Sequence, residues 1–141
     1  MNETQVTLPL SGDADNLSVL IHDPDANYRK ILRGMLKQER EIAFKVREIT
    51  NKKIDKALEK AIPDVVVLGM DLQQSDAMDN LQQVREIDVS PVVILAAGGN
   101  EQSAVAAMKK GAYDYIPKTY LTLDQLTKAL INAREKWRLL K

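Results

Sequence analysis

Few side chains in this sequence could carry out chemistry, and those few follow short apolar runs. Asp23 and Asp25 come after the first run, Asp71 after the third and Lys118 after the fifth. There is no cysteine and only one histidine, His22, which excludes thiol catalysis, cysteine zinc sites and a histidine-cluster metal site. A stand-alone catalyst would need a nucleophile or an acid–base pair, and Asp23 with Lys118 is too little. The sequence therefore predicts a protein that is not an enzyme.

The charge balance excludes further function classes. Lys and Arg total 20, Asp and Glu total 20, and the formal net charge is zero. A global basic field that would hold nucleic acid or an anionic membrane is therefore absent. No apolar run approaches the roughly 20 residues needed to cross a bilayer, and the first residues lack the pattern of a secretion signal. We expect a cytoplasmic protein that binds neither nucleic acid nor membrane.

Two parts can be distinguished along the chain. Residues 1–17 carry three acidic and no basic residues together with Pro9 and Gly12, which predicts a mobile extension. Residues 18–141 are long enough for one domain with its own core. In this second part, short apolar runs alternate with stretches of helical period, which is typical of parallel strands joined by crossover helices.

Five such strand–helix units can be counted. The predicted strands are residues 18–22, 44–49, 65–68, 92–97 and 113–116. Five units cannot close a barrel, which takes eight units and about 250 residues. The sequence therefore predicts an open, doubly wound five-stranded parallel sheet with the flavodoxin-like strand order 2-1-3-4-5. A site in this α/β fold lies beyond the carboxyl ends of strands 1 and 3.

Helix boundaries are also marked in the sequence. Asp25 and Asn100 are placed as N-caps, and Thr122 with Gln125 forms a capping box at the start of the last helix. In the fourth helix, the spacing of Val105 and Met108 predicts that both side chains face the sheet.

Four segments, taken in order, resemble the receiver domain of bacterial two-component response regulators. They are VLIHDPD, PDVVVLGMDL, SPVVILAA and KKGAYDYIPK, and the resemblance covers roughly residues 17–141. It implies a carboxylate after strand 3 that accepts a phosphoryl group and an acidic pair after strand 1 that holds Mg²⁺. It further implies a hydroxyl at the end of strand 4 and a lysine at the end of strand 5 that bind the phosphoryl oxygens.

At most of the positions that the resemblance implies for this chemistry, the chain lacks the required side chain. The first acid falls on Asp23, but the second falls on Pro24, the phosphoacceptor on Gly69 and the hydroxyl on Ala96. Glycine cannot be phosphorylated, proline and alanine offer no ligand or hydroxyl, and one carboxylate is a weak Mg²⁺ site. The resemblance thus implies a degenerate receiver, or pseudo-receiver, without a cofactor or a metal, Asp23 being a weak metal candidate.

The resemblance also implies a switch formed by the hydroxyl position, here Ala96, and an aromatic residue three positions before the lysine. That aromatic residue, Tyr115, and the lysine, Lys118, are present in this chain. Without a phosphoryl group, we expect Lys118 to pair with Asp23 across the pocket. Thr119 stands where the family usually has a proline in a cis bond, so the loop is either strained or rebuilt with a trans bond. Asp71 could be a displaced acceptor and Asp25 a replacement acid, but loop capping and helix capping are favoured for them.

These residues favour a signal-transduction module that acts through protein–protein contacts. One alternative is an active phosphorelay receiver that uses a displaced acceptor such as Asp71. Another is the regulatory domain of a larger signalling enzyme.

The last helix carries a heptad-like apolar seam. Its members are Leu123, Leu126, Leu130, Ala133, Trp137 and Leu140. We expect Ala133, Trp137 and Leu140 to project beyond the domain and form an interface. The sequence thus predicts a weak homodimer through this helix, which would continue toward an output domain.

Overall fold

The computed structural model describes residues 16–49, 53–74 and 76–140. Five parallel strands form one sheet in the order β2-β1-β3-β4-β5, which confirms the predicted fold. The strands are β1 (Asn16–His22), β2 (Ala43–Ile49), β3 (Val65–Asp71), β4 (Val92–Ala97) and β5 (Asp114–Pro117). The helices are α1 (Ala26–Lys37), α2 (Ile54–Lys60), α3 (Asp79–Ile87), α4 (Glu101–Lys109) and α5 (Leu123–Leu140).

The start of the domain differs slightly from the prediction. β1 begins at Asn16, two residues before the predicted boundary, because Leu17 is fully buried in the core. The rest of the predicted extension, residues 1–15, lies outside the described residues. No helix in the described ranges is long and apolar enough to cross a membrane.

The sheet is covered on both faces, which gives two apolar core clusters. One cluster joins the sheet to α1 and α5 and includes Leu32 and Leu130. The other joins it to α2, α3 and α4 and includes Leu58 and Leu81. Central strands buried on both faces must be apolar throughout, which is why β3 and β4 read as continuous apolar runs.

The predicted helix caps are confirmed by their hydrogen bonds. The Asp25 carboxylate accepts from the backbone N–H groups of Asn27 and Tyr28 at the start of α1. The Asn100 side chain accepts from Ser103 N at 2.9 Å, and Thr122 Oγ1 accepts from Gln125 N at 3.1 Å. These side chains satisfy backbone donors that have no partner inside the helix.

The predicted orientation of α4 is wrong. Val105 and Met108 are 52% and 46% exposed, and Ala107 is the buried residue of this helix. The helix contacts the sheet through this small side chain, and the larger apolar side chains consequently point outward.

The predicted interface at the end of α5 needs a correction at Ala133. This residue is fully buried in the domain's own core, because α5 packs on the sheet for longer than the prediction allowed. Trp137 is half-buried, and the Arg85 guanidinium of α3 lies 5.6 Å from the centre of its ring. Leu140, by contrast, is 79% exposed, as expected for a residue beyond the core.

Candidate functional site

A pocket of about 670 Å³ opens at the carboxyl ends of β1 and β3, where the strand order predicts a site. It brings together most of the residues singled out from the sequence. Its lining includes Asp23, Pro24, Asp25, Gly69, Asp71 and Lys118. Ala96 and Tyr115 are not among the lining residues: Ala96 is buried in the core, and the neighbouring Ala97 faces the pocket instead.

Asp23 is the most deeply buried carboxylate of the pocket, with 1% of its surface exposed. Its Oδ2 atom lies 2.8 Å from Lys118 Nζ, and its Oδ1 atom accepts from Asp25 N at 2.8 Å. The Arg29 guanidinium donates to the backbone carbonyl of Asp23. Both carboxylate oxygens are therefore engaged within the protein, and the ion pair expected between Asp23 and Lys118 is present.

Gly69 makes room for this carboxylate. A Cβ atom added at Gly69 would overlap Oδ2 and Cγ of Asp23 and would come within 2.8 Å of its Cβ. The Asp23 side chain thus lies directly against the backbone of β3, in space that any larger residue at position 69 would need. The arrangement of the ion pair depends on a glycine here.

Tyr28 completes the surroundings of Lys118 and was not predicted as part of the site. Lys118 Nζ lies 4.1 Å from the centre of the Tyr28 ring, a cation–π contact. Burial, and secondarily the negative charge of Asp23, raises the pKa of Tyr28 to about 12, so the hydroxyl stays neutral at physiological pH. Tyr28 packs against the core from α1, and nothing in the sequence indicates a contact with a lysine 90 residues away.

Asp25 and Asp71, the other two carboxylates singled out from the sequence, have structural partners. Asp25 caps α1, as predicted. Asp71 is the last residue of β3 and not part of the following loop, yet its Oδ1 atom accepts from Gln73 N at 2.9 Å and so caps the turn, as favoured. This bond turns one carboxylate oxygen of Asp71 toward its own loop.

The donor set at the pocket does not fit Mg²⁺. Asp23 already binds Lys118 and Asp25 N, and Pro24 and Gly69 offer no side-chain oxygen. In the part of the chain that the structure describes, no group of three or more His, Cys, Asp or Glu side chains is placed to hold a metal ion. A hard divalent cation needs several oxygen ligands, which these residues do not supply.

Ala96 and Tyr115, which the resemblance places at switch positions, lie on two neighbouring strands, β4 and β5. Ala96 lies in the middle of the sheet end, beside Met70 and Pro117, and has no hydroxyl. Tyr115 packs against the α2–α4 face, where its hydroxyl approaches Gly99 so closely that a Cβ at Gly99 would overlap it. Burial raises the pKa of the Tyr115 hydroxyl.

The loop after β5 has been rebuilt without a cis bond. Every peptide bond in residues 16–49, 53–74 and 76–140 is trans, including Lys118–Thr119. A short 3₁₀ turn, Lys118–Tyr120, follows the strand directly. The trans alternative is therefore the one that the chain adopts.

Comparisons with known proteins agree with this fold. The model of the response regulator receiver domain family matches residues 19–131. The chain is 31% identical over 102 residues to the transcriptional regulatory protein ResD of Bacillus subtilis, covering 72% of this chain and 42% of ResD. It is 27% identical over 103 residues to the KDP operon transcriptional regulatory protein KdpE of Escherichia coli, covering 73% of this chain and 45% of KdpE. The chain thus spans less than half the length of these two relatives.

A solved structure is similar over nearly the whole described domain. The crystal structure of a response regulator receiver domain protein from Clostridium thermocellum superimposes with a TM-score of 0.75 at 24% identity. The match covers 89% of this chain and 99% of that protein. At this level of identity, the similarity supports the fold.

Proposed function

The chain belongs to the response regulator receiver domain family, and we propose that it is a receiver that accepts no phosphoryl group and signals through protein contacts. The observation that carries the proposal is the ion pair between Asp23 and Lys118, formed in the space beside Gly69. In the family, the corresponding lysine binds phosphoryl oxygens. Here an internal carboxylate takes the place of that ligand.

The proposal includes the loss of the switch. In the family, an aromatic residue moves when the hydroxyl at the end of strand 4 is drawn toward the phosphoryl group. Ala96 has no hydroxyl, and packing against Gly99 and its neighbours is what remains to position Tyr115. We therefore expect Tyr115 to keep one conformation and the domain to present one constant surface.

Intact-mass spectrometry tests whether the domain accepts phosphate. After incubation with acetyl phosphate and Mg²⁺, the mass should be unchanged, because Gly69 offers no acceptor and the donor set does not fit the metal. A receiver with an intact acceptor serves as the positive control. A gain of about 80 Da, the mass of one phosphoryl group, would contradict the proposal.

Asp71→Asn distinguishes the alternative of a displaced acceptor. If the wild-type chain gains a phosphoryl group and this variant does not, Asp71 is the acceptor and the chain is an active phosphorelay receiver. The bond from Gln73 N to Asp71 Oδ1 argues against this outcome, since it engages the carboxylate in the turn.

A weak self-association through the end of α5 is the second part of the proposal. With Ala133 buried in the domain, the seam is reduced to the half-buried Trp137 and the exposed Leu140. Two copies in parallel would cover Leu140 against its counterpart, as in the first turns of a coiled coil. So short a seam supports only a weak dimer.

Sedimentation equilibrium with two leucine variants tests this contact. Leu139 and Leu140 are 82% and 79% exposed, but only Leu140 lies on the seam. Leu140→Ala should reduce the association constant several-fold, and Leu139→Ala should leave it unchanged. Equal effects of the two substitutions, or a wild-type monomer at high concentration, would contradict a seam-specific dimer.

A further inference from the structure

The net charge of the chain is zero, but basic and acidic residues are unevenly distributed along it. Residues 26–60, which contain α1, β2 and α2, hold eleven Lys and Arg against five Asp and Glu. The rest of the chain holds nine basic and fifteen acidic residues. The exposed basic side chains of the described part of this region are Lys30, Lys37, Arg40, Lys45, Lys53, Lys56 and Lys60. The part of the domain that this region forms is therefore basic, and in the other described residues acidic side chains outnumber basic ones by twelve to eight.

The basic region surrounds an open edge of the sheet. β2 is an end strand, and among the described residues its neighbouring strand is β1 alone. Arg33 of α1 contacts β2 through Glu48 at 2.6 Å and through the Val46 carbonyl at 3.4 Å. An edge strand offers backbone N–H and C=O groups that a further strand can pair with.

The two faces of β2 differ in chemistry. Phe44 and Val46 point toward the α1–α5 face and are half-buried, so part of their apolar surface stays accessible at the edge. Lys45 and Arg47 alternate with them and point to the other face, where Arg47 donates to the Ala61 carbonyl at 2.7 Å, at the end of α2. A strand placed beside residues 44–47 would meet Phe44 and Val46 on one face and Lys45 and Arg47 on the other, before Glu48 and Ile49 end this pattern.

We propose that the outer edge of β2 is a docking site for an extended acidic segment of a partner protein, in which Asp or Glu alternates with apolar residues. The apolar side chains would pack beside Phe44 and Val46, and the carboxylates beside Lys45 and Arg47. Basic side chains at this edge repel other basic strands, so the same residues that select an acidic partner disfavour unspecific sheet extension. This inference is independent of whether the domain accepts phosphate.

A peptide is favoured over a nucleic acid by the backbone of β2. A strand edge presents donors and acceptors in alternation, and a second peptide backbone satisfies both kinds. A phosphate backbone supplies acceptors only. The accessible apolar row of Phe44 and Val46 also has no counterpart on a phosphate chain.

Binding of a labelled peptide to the full chain tests the docking site. The probe is a peptide of about eight residues that alternates glutamate and valine, and its affinity is measured by fluorescence anisotropy. We expect saturable binding that weakens as salt is raised. Lys37→Glu with Lys45→Glu should weaken it about tenfold, because Lys45 lies in β2 and Lys37 in the last turn of α1, the helix that precedes β2.

A matched double variant distinguishes binding at the β2 edge from nonspecific attraction between the peptide and basic side chains elsewhere. Lys109→Glu with Lys110→Glu makes the same change of charge at the end of α4, which contacts β5 at the other edge of the sheet. This double variant should leave the affinity within twofold. Circular dichroism confirms that both double variants are folded. Equal weakening by the two double variants would overturn the proposal.

Modified probes separate strand pairing from simple attraction. A peptide methylated on every backbone nitrogen keeps its side-chain charges but cannot donate a hydrogen bond from either edge, and it should lose binding. Undiminished binding of this peptide would contradict a strand-docking site, and so would equal binding of a peptide that alternates lysine and valine. Displacement of the probe by a short DNA duplex, added so that its phosphates equal the peptide's carboxylates in number, would also contradict it.

Discussion

Replacing Gly69 by alanine should destabilise the domain by about 2 to 3 kcal/mol. The added Cβ would overlap the Asp23 carboxylate, so this side chain must leave its position and give up its contacts with Lys118 and Asp25 N. Overpacking a close-packed interior costs about 1 to 3 kcal/mol, and the disturbed ion pair places the expected value in the upper part of that range. Chemical denaturation of the purified domain measures the change.

Two further variants make the cause of this effect visible. Gly34→Ala is the control: nothing lies within 4 Å of its added Cβ in the interior of α1, so it should stabilise the domain by about 0.5 to 1 kcal/mol. In Asp23→Ala with Gly69→Ala, the overlap with the carboxylate is gone and only the contact with the Cβ of residue 23 at 2.8 Å remains, so this double variant should be more stable than Gly69→Ala alone. A tolerated Gly69→Ala, or no recovery in the double variant, would show that Asp23 does not occupy this space.

Gly69→Asp should likewise fail to create a phosphoacceptor. The new carboxylate would stand against Asp23, Pro24 would still offer no metal ligand, and Ala96 would still lack a hydroxyl. Efficient phosphorylation of this single variant would mean that an acceptor carboxylate at position 69 is sufficient without a second acid at position 24 or a hydroxyl at position 96.

Replacing Lys118 by methionine should cost about 3 kcal/mol. Asp23 is 1% exposed and would remain a buried carboxylate without its cation. An uncompensated buried charge strongly lowers the free energy of unfolding. Removing one partner of a buried pair costs about 3 to 5 kcal/mol. We expect the lower value because 17% of the Lys118 side chain is exposed. Asp23→Ala should cost less, since the long lysine side chain can turn its ammonium group into water.

The exposed pair of Lys128 and Asp124 is the matched control for Lys118. The two side chains are 71% and 77% exposed at a separation of 3.1 Å, and Lys128→Met should change the free energy of unfolding by less than about 0.5 kcal/mol. Asp23→Ala with Lys118→Met should recover part of the loss seen in Lys118→Met. If Lys118→Met were as mild as Lys128→Met, the buried pair would not hold the site together.

Much of the fold could be predicted because the apolar runs are unambiguous. β3 and β4 are apolar on both faces, which places them in the middle of a parallel sheet, and the caps at Asp25, Asn100 and Thr122 mark where helices begin. The orientation of α4 could not be predicted, because a helix that packs through Ala107 leaves its larger apolar residues outside and so inverts the usual pattern. Ala133 was misplaced for a related reason: a heptad spacing does not say how far the sheet beneath the helix extends.

The site was predictable as a set of positions but not as a packing arrangement. Strand order brings Asp23, Gly69 and Lys118 together, and the pairing of the two charged residues followed from their position at the same end of the sheet. That the Asp23 carboxylate lies against Gly69, and that Lys118 lies over the Tyr28 ring, depends on side-chain conformations. A sequence pattern does not encode these.

On the proposal made above, the domain has a single state, set by the pair of Asp23 and Lys118 and not by phosphorylation. The most direct measurement is a pair of amide and aromatic NMR spectra of the chain, recorded with and without acetyl phosphate and Mg²⁺. The two spectra should superimpose, with one set of signals for Tyr115 and for the amides at the ends of β3, β4 and β5. New or shifted signals at those positions on addition of both reagents would contradict the claim.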